Sequence, residues 1–150
     1  MDASSVERKA EHDRALVDVA EYGVIGRSAW MDIDWTALTH NAMIDGRTVN
    51  YVEYGDPSLP TVVLVHGLAG CWQNWLENIP ALAEDFHVIA IDLPGFGESQ
   101  LPRERISIPG YARCISELLD HLNVVRASVI GNSMGGQTSA RFALDFPDRC

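Results

Sequence analysis

The sequence predicts an α/β fold, a doubly wound and mostly parallel sheet, on three observations. Three short apolar runs lack the in-out alternation of a half-exposed strand: Thr61-Val62-Val63-Leu64-Val65, His87-Val88-Ile89-Ala90-Ile91 and Ala127-Ser128-Val129-Ile130. A strand covered on both faces has no solvent side, so its apolar residues need not alternate. Segments of helical periodicity separate the runs, and strand, helix, strand, helix, strand is the pattern of parallel strands joined by crossovers. Each run is followed at once by a glycine-rich stretch.

The chain divides into a helical N-terminal extension, residues 1–38, and an α/β domain, residues 39–150. From Ser4 to about Tyr22 helix formers dominate, Ser4 and Glu7 have the spacing of a capping box, and Gly23 and Gly26 end the segment. Its apolar stripe is weak, as expected of a solvated surface helix. Ala29 to Leu38, with Trp30 and Trp35, reads as a linker laid against the domain surface. Asp45-Gly46 then joins Thr39–Ile44 to Arg47–Tyr54, a dipeptide suited to a two-residue hairpin because both central positions need positive φ. After the Gly55-Asp56-Pro57 break and the first run, Leu76, Ile79 and Leu82 predict a helix over Trp75 to Glu84, with Pro80 its weak point. Tyr111, Ile115, Leu118, Leu119 and Leu122 give a clear helical face from Pro109 to Leu122.

Composition narrows the class. The 150 residues are 47% hydrophobic, enough for a core, and the net charge of -10 repels a phosphate backbone, so nucleic acid is not an expected partner. Cys71, Cys114 and Cys150 are odd in number and scattered, which indicates neither a disulfide framework nor zinc. A charged N-terminus and the lack of any membrane-length apolar run predict a cytoplasmic protein that does not enter a membrane. Neither metal nor cofactor is implied: Gly95-Phe96-Gly97 lacks the third glycine of a dinucleotide fingerprint, and no Gly-Lys-Ser/Thr phosphate loop occurs. That disfavours a nucleotide-binding domain of the same topology.

In such sheets the chemistry gathers at the carboxyl ends of the strands. There lie His66-Gly67-Leu68-Ala69-Gly70, Asp92-Leu93-Pro94-Gly95-Phe96-Gly97-Glu98-Ser99, and Gly131-Asn132-Ser133-Met134-Gly135-Gly136. The last contains Gly-x-Ser-x-Gly, a pattern that places a serine on a strand-to-helix turn too tight for flanking side chains. Gly131 and Gly135 supply the missing bulk. A serine attacks only if a base takes its proton and donors stabilise the oxyanion it creates. The turn helps the second need by aiming the N–H of Met134 at the reacting carbonyl oxygen.

These motifs, in this order, resemble the N-terminal part of the α/β-hydrolase family, serine-nucleophile branch, from about Ala42 to Cys150. The resemblance implies Ser133 as nucleophile, with the N–H groups of Leu68 and Met134 as the oxyanion hole. It implies that His66 steadies its loop rather than acting as base, and that Asp92 opens a turn rather than serving as the acid. His12, His40, His87 and His121 have no motif around them and read as ordinary satisfied histidines. The family's acid and histidine follow the serine in the chain, yet no histidine follows Ser133, and Asp145 and Asp148 come too early. The resemblance therefore implies the first half of a hydrolase: an incomplete domain, inactive alone, with the central fifth strand left as an exposed apolar edge.

The expected function is hydrolysis of an ester or related acyl substrate, a small molecule, through an acyl-enzyme at Ser133. Serine argues against haloalkane dehalogenases and epoxide hydrolases, which use an aspartate there. Carbon–carbon bond hydrolases, thioesterases, acyltransferases and cofactor-free haloperoxidases remain open, as does a non-catalytic, hydrolase-like binding protein. A homo-oligomer and a complementing chain are the protein partners left open. Leu68, Ala69, Trp72, Phe96 and Met134 are the apolar pocket candidates, Trp72 and Phe96 being equally readable as packing.

Overall fold

Asp45 and Gly46, at φ 47° and 67°, turn the chain sharply between strands β1 (Thr39–Ile44) and β2 (Arg47–Tyr54). This is the hairpin that Asp-Gly predicts. The structure, a computed structural model, describes residues 27–103 and 105–150. The helix expected from Ser4 to about Tyr22 lies outside the described residues. Strands β3 (Thr61–Val65), β4 (His87–Ile91) and β5 (Ala127–Gly131) coincide with the three apolar runs, and together the strands form one 5-stranded sheet in the order β1-β2-β4-β3-β5. Pairing is antiparallel from β1 to β2 and from β2 to β4, and parallel among β4, β3 and β5. The sheet is thus mixed but parallel where the glycine-rich loops emerge.

Helices α1 (Trp35–Leu38), α2 (Ile79–Leu82), α3 (Ile108–His121) and α4 (Met134–Asp145) cover the two faces. Because side chains alternate along a strand, β3 and β4 feed two separate clusters. Val63, Val65, Ile89 and Ile91 pack under α3 and α4 with Ile115, Leu118, Leu119 and Phe142. Val62, Leu64, Val88 and Ala90 face the other way, against Trp72, Ile79, Trp35 and Leu38. Both faces of β3 and β4 are therefore buried, which is why their sequences run apolar without alternation, whereas β5 at the sheet edge leaves Ser128 and Ile130 exposed.

Helix α3 begins one residue before the expected start, with the Ser107 hydroxyl accepting from Gly110 N. The helix expected over Trp75 to Glu84 is not formed as one element. A 3-10 turn at Trp72–Trp75 precedes α2, which holds only Ile79–Leu82 with Pro80 in its first turn. Proline has no N–H to donate and its ring collides with the carbonyl four residues back, so the helix starts beside it instead of running through it. The 29–38 segment is a 3-10 turn at Ala29–Asp32 followed by α1, and Trp35 stacks near Trp72 with ring centroids 5.4 Å apart. Its aromatic side chain joins the second cluster instead of only lying on the surface.

The fully buried Leu118 makes a strong test of this packing. Leu118→Ala should lower unfolding free energy by about 2–5 kcal/mol, whereas Val125→Ala, at a side chain 76% exposed, should stay within about 0.5 kcal/mol. Denaturant midpoints at unchanged m-value measure both.

Candidate active site

Register brings the three loops together. Val65 of β3 pairs with Ile91 on one side and Gly131 on the other. His66, Asp92 and Asn132 therefore leave the sheet side by side, each at the carboxyl end of its strand.

The turn from β5 into α4 closes directly on β3. Asn132 N donates to Val65 O at 3.1 Å, and Gly135 N donates back to Asn132 O at 2.8 Å. Space here is minimal: a Cβ on Gly131 would lie 2.1 Å from Gly135 C, and one on Gly135 2.1 Å from Val65 O. Ser133 sits between them at φ 54°, ψ -114°, a left-handed backbone that costs a non-glycine residue on the order of 1–3 kcal/mol. A serine in this place would ordinarily cap the helix through its hydroxyl. Ser133 makes no such bond, and the residue is exposed. The Gly67 backbone lies against the turn, since a Cβ there would come 3.3 Å from Asn132 O and 3.4 Å from Ser133 Cβ. Neither Leu68 N nor Met134 N donates to any described residue.

Behind this surface lie two buried polar hubs. The Nε2 of His66 accepts from Leu93 N at 3.0 Å, so its Nδ1 carries the proton and donates to Gly67 O at 2.7 Å. The ring, fully buried, thus joins the loop after β3 to the loop after β4, and Phe96 packs edge-on against it at 5.5 Å. The Asp92 carboxylate, also buried, accepts from Trp72 N (2.6 Å), Asn50 Nδ2 (2.9 Å) and Glu98 N (3.0 Å). Ser99 Oγ donates to Asp92 O and accepts from Asn50 N, which locks β2 into the same network. Gly97 curls over the carboxylate at φ 52°, where a Cβ would be 2.0 Å from Asp92 Oδ2.

Asn50 and Ser99 had no role in the sequence reading. Asn50 left one signal, a polar residue amid the buried stretch Val49–Val52 of β2; Ser99 left only its place at the end of the loop. Among the apolar pocket candidates, Trp72 is buried in the core cluster and does not line an opening at Ser133, because its backbone N–H is drawn in to Asp92. Phe96 is half-buried against His66 and Tyr111. Leu68 (72% exposed) and Ala69 stand out on the loop after β3, with Ala69 at φ 58°. His87 lies at the opposite end of the strands, held by Glu53 Oε1 at 2.7 Å and Thr61 Oγ1 at 3.2 Å. Asp145 is paired with Arg141 at 2.7 Å. No described residue hydrogen-bonds the Ser133 hydroxyl. Among the described residues no helix is long and apolar enough to cross a membrane, and no three His, Cys, Asp or Glu side chains gather as metal ligands.

Residues 60–150 match the α/β hydrolase fold family. The chain belongs to that family. It is 42% identical over 108 residues to the dihydrolipoyllysine-residue acetyltransferase component of the acetoin cleaving system of Pseudomonas putida, covering 72% of this chain and 29% of that protein. It is 41% identical over 114 residues to a soluble epoxide hydrolase of Corynebacterium sp. strain C12, covering 75% and 39%. Among solved structures, a bacterial membrane phospholipase A superposes with a TM-score of 0.72 at 34% identity, covering 74% of this chain and 36% of its own. The α/β-hydrolase chain described here thus spans between about a quarter and two-fifths of the length of these relatives, which include hydrolases.

Gly135→Ala forces a Cβ into the β3 carbonyl and should destabilise the fold by about 3 kcal/mol or more, read by urea unfolding. Burial, with a smaller push from Glu117, drives the Cys114 thiol up to about 12. The folded state then holds a proton that the unfolded state releases from about pH 9, so stability should fall as pH rises from 9 towards 12. In native protein at pH 8 a disulfide reagent should modify exposed Cys150 promptly and Cys114 only on unfolding.

Proposed function

We propose that Ser133 is the nucleophile of an acyl-transfer site that hydrolyses an ester or related acyl substrate. The observation that carries this reading is Ser133 itself, held at a strained left-handed backbone with its hydroxyl exposed and used for no cap. Strain of this kind persists where a tight surrounding structure imposes it, and it gathers at sites of function. The N–H groups of Leu68 and Met134 are the oxyanion donors. They come from two strand ends brought into register, and neither has a protein acceptor among the described residues. Gly131 and Gly135 permit the turn, and His66, Gly67 and Asp92 hold the loops that position it; none of these exchanges protons with substrate.

A histidine and a carboxylate outside these 150 residues complete the triad in this reading. The histidine takes the Ser133 proton as Oγ bonds to the acyl carbon. It then returns that proton to the leaving group as the tetrahedral intermediate collapses to the acyl-enzyme. Water, activated by the same base, releases the acid. Without them Ser133 stays near an ordinary alcohol, and this chain alone has at most the residual effect of its oxyanion donors. Likeness to an epoxide hydrolase does not extend to epoxide opening. A carboxylate nucleophile would give an ester that water can cleave, whereas Ser133 would give an ether that it cannot. Small-molecule substrates and a cytoplasmic location belong to the same proposal.

In protein assayed with its acid and histidine present, Ser133→Ala should lower kcat/KM for a p-nitrophenyl ester by about 10³-fold or more. Leu68→Ala, which keeps the backbone N–H, should change it by only a few-fold. Turnover that survives Ser133→Ala in a folded variant would sink the reading.

A further inference from the structure

A cavity of about 260 Å³ opens beside the β1–β2 hairpin. The sheet order places that hairpin at the opposite edge from β5 and Ser133. Asp45 and Arg47 contribute from the hairpin, Arg103 and Arg105 from the loop before α3, and Tyr111 and Glu117 from α3. With Arg113, four arginines of the 11 lysines and arginines in the chain line this one space.

Their hydrogen bonding sets them apart. Arg27, Arg141 and Arg149 each hold a carboxylate, and Arg126 and Arg149 hold backbone carbonyls. Arg113 also has a partner. Arg47, Arg103 and Arg105 have neither hydrogen bond nor ion pair with any described residue, although the Arg103 guanidinium lies over Gly46. Arg47 Nε and the Tyr111 hydroxyl are both shut away from solvent without a partner, and Tyr111 is only 2% exposed. Buried polar groups are normally hydrogen-bonded, so two unpaired ones lining one cavity mark a place that lacks an acceptor. Burial holds the Tyr111 phenol above its usual range, so at neutral pH it keeps its proton and can donate.

The same hairpin and helix also bring carboxylates to the cavity. Asp45 and Glu117 face the same space, and burial together with Asp45 and Asp120 raises the Glu117 carboxyl against the pull of Arg113. A bare polyanion fits this poorly. A compact molecule with one oxyanion towards the arginines and hydroxyl or amine groups towards the carboxyls fits it well, and the volume lies just below that of drug-sized sites. We propose that this cavity binds a small molecule through a phosphate or carboxylate group held by Arg47, Arg103, Arg105 and the Tyr111 hydroxyl, apart from the Ser133 site.

Inorganic phosphate and acetate, each titrated at constant ionic strength against chloride, distinguish the two oxyanions by calorimetry and thermal shift. One of them should bind saturably and raise Tm. Arg103→Gln/Arg105→Gln alters exposed side chains and should leave the fold intact by circular dichroism while weakening that binding about tenfold or more. Tyr111→Phe should weaken it less, and Ser133→Ala should leave it unchanged. Absence of saturable binding by either anion, or binding undiminished in the folded double arginine variant, overturns the proposal.

Discussion

Everything at the candidate site depends on one close approach, that of the first turn of α4 to the last carbonyl of β3. The Gly135 backbone fills space that any side chain would contest, and the hydrogen bond from Asn132 to Val65 fixes the separation. With the helix start held there, the chain between Gly131 and Gly135 passes through one left-handed residue. Ser133 is that residue. Its exposure is a consequence of steric closure behind it, not of any bond made by its own side chain.

The two buried hubs do for the loops what the glycines do for the turn. A loop at a strand end has peptide groups that no sheet partner satisfies, and burying them unpaired is unfavourable. Asp92 collects two such donors, the N–H groups of Trp72 and Glu98, together with the Asn50 side-chain amide of β2, and His66 bridges two loops with its two ring nitrogens. The loops after β3 and β4 are thereby tied to each other and to β2. A carboxylate and an imidazole that resemble parts of a catalytic set are, in this geometry, committed to holding the loops and β2 together.

Strands, the hairpin and α3 were legible because each expresses a local rule: unalternating β-branched runs, Asp-Gly, and apolar residues at helical spacing. The family was legible because three motifs stand at three consecutive strand ends. The Trp75–Glu84 segment misled because its apolar spacing favoured a helix while Pro80 divided it, and periodicity alone does not weigh the two. Trp72 was ambiguous since position in a loop does not reveal that Asp92 draws the backbone inward. The roles of Asn50 and Ser99 depend on contacts about 50 residues apart in the chain, which one sequence has no means to display. The arginine-lined cavity was invisible for the same reason, its walls coming from the hairpin, a loop and a helix.

The left-handed conformation of Ser133 also bears on how this chain can change by mutation. Glycine at that position would relieve the backbone strain and fit the turn at least as well, at the loss of only a hydroxyl. Folding and chemistry therefore pull in opposite directions at a single codon. A lineage released from any need for the hydroxyl would drift towards the more stable glycine, so position 133 is where loss of chemistry would be rewarded by a firmer fold.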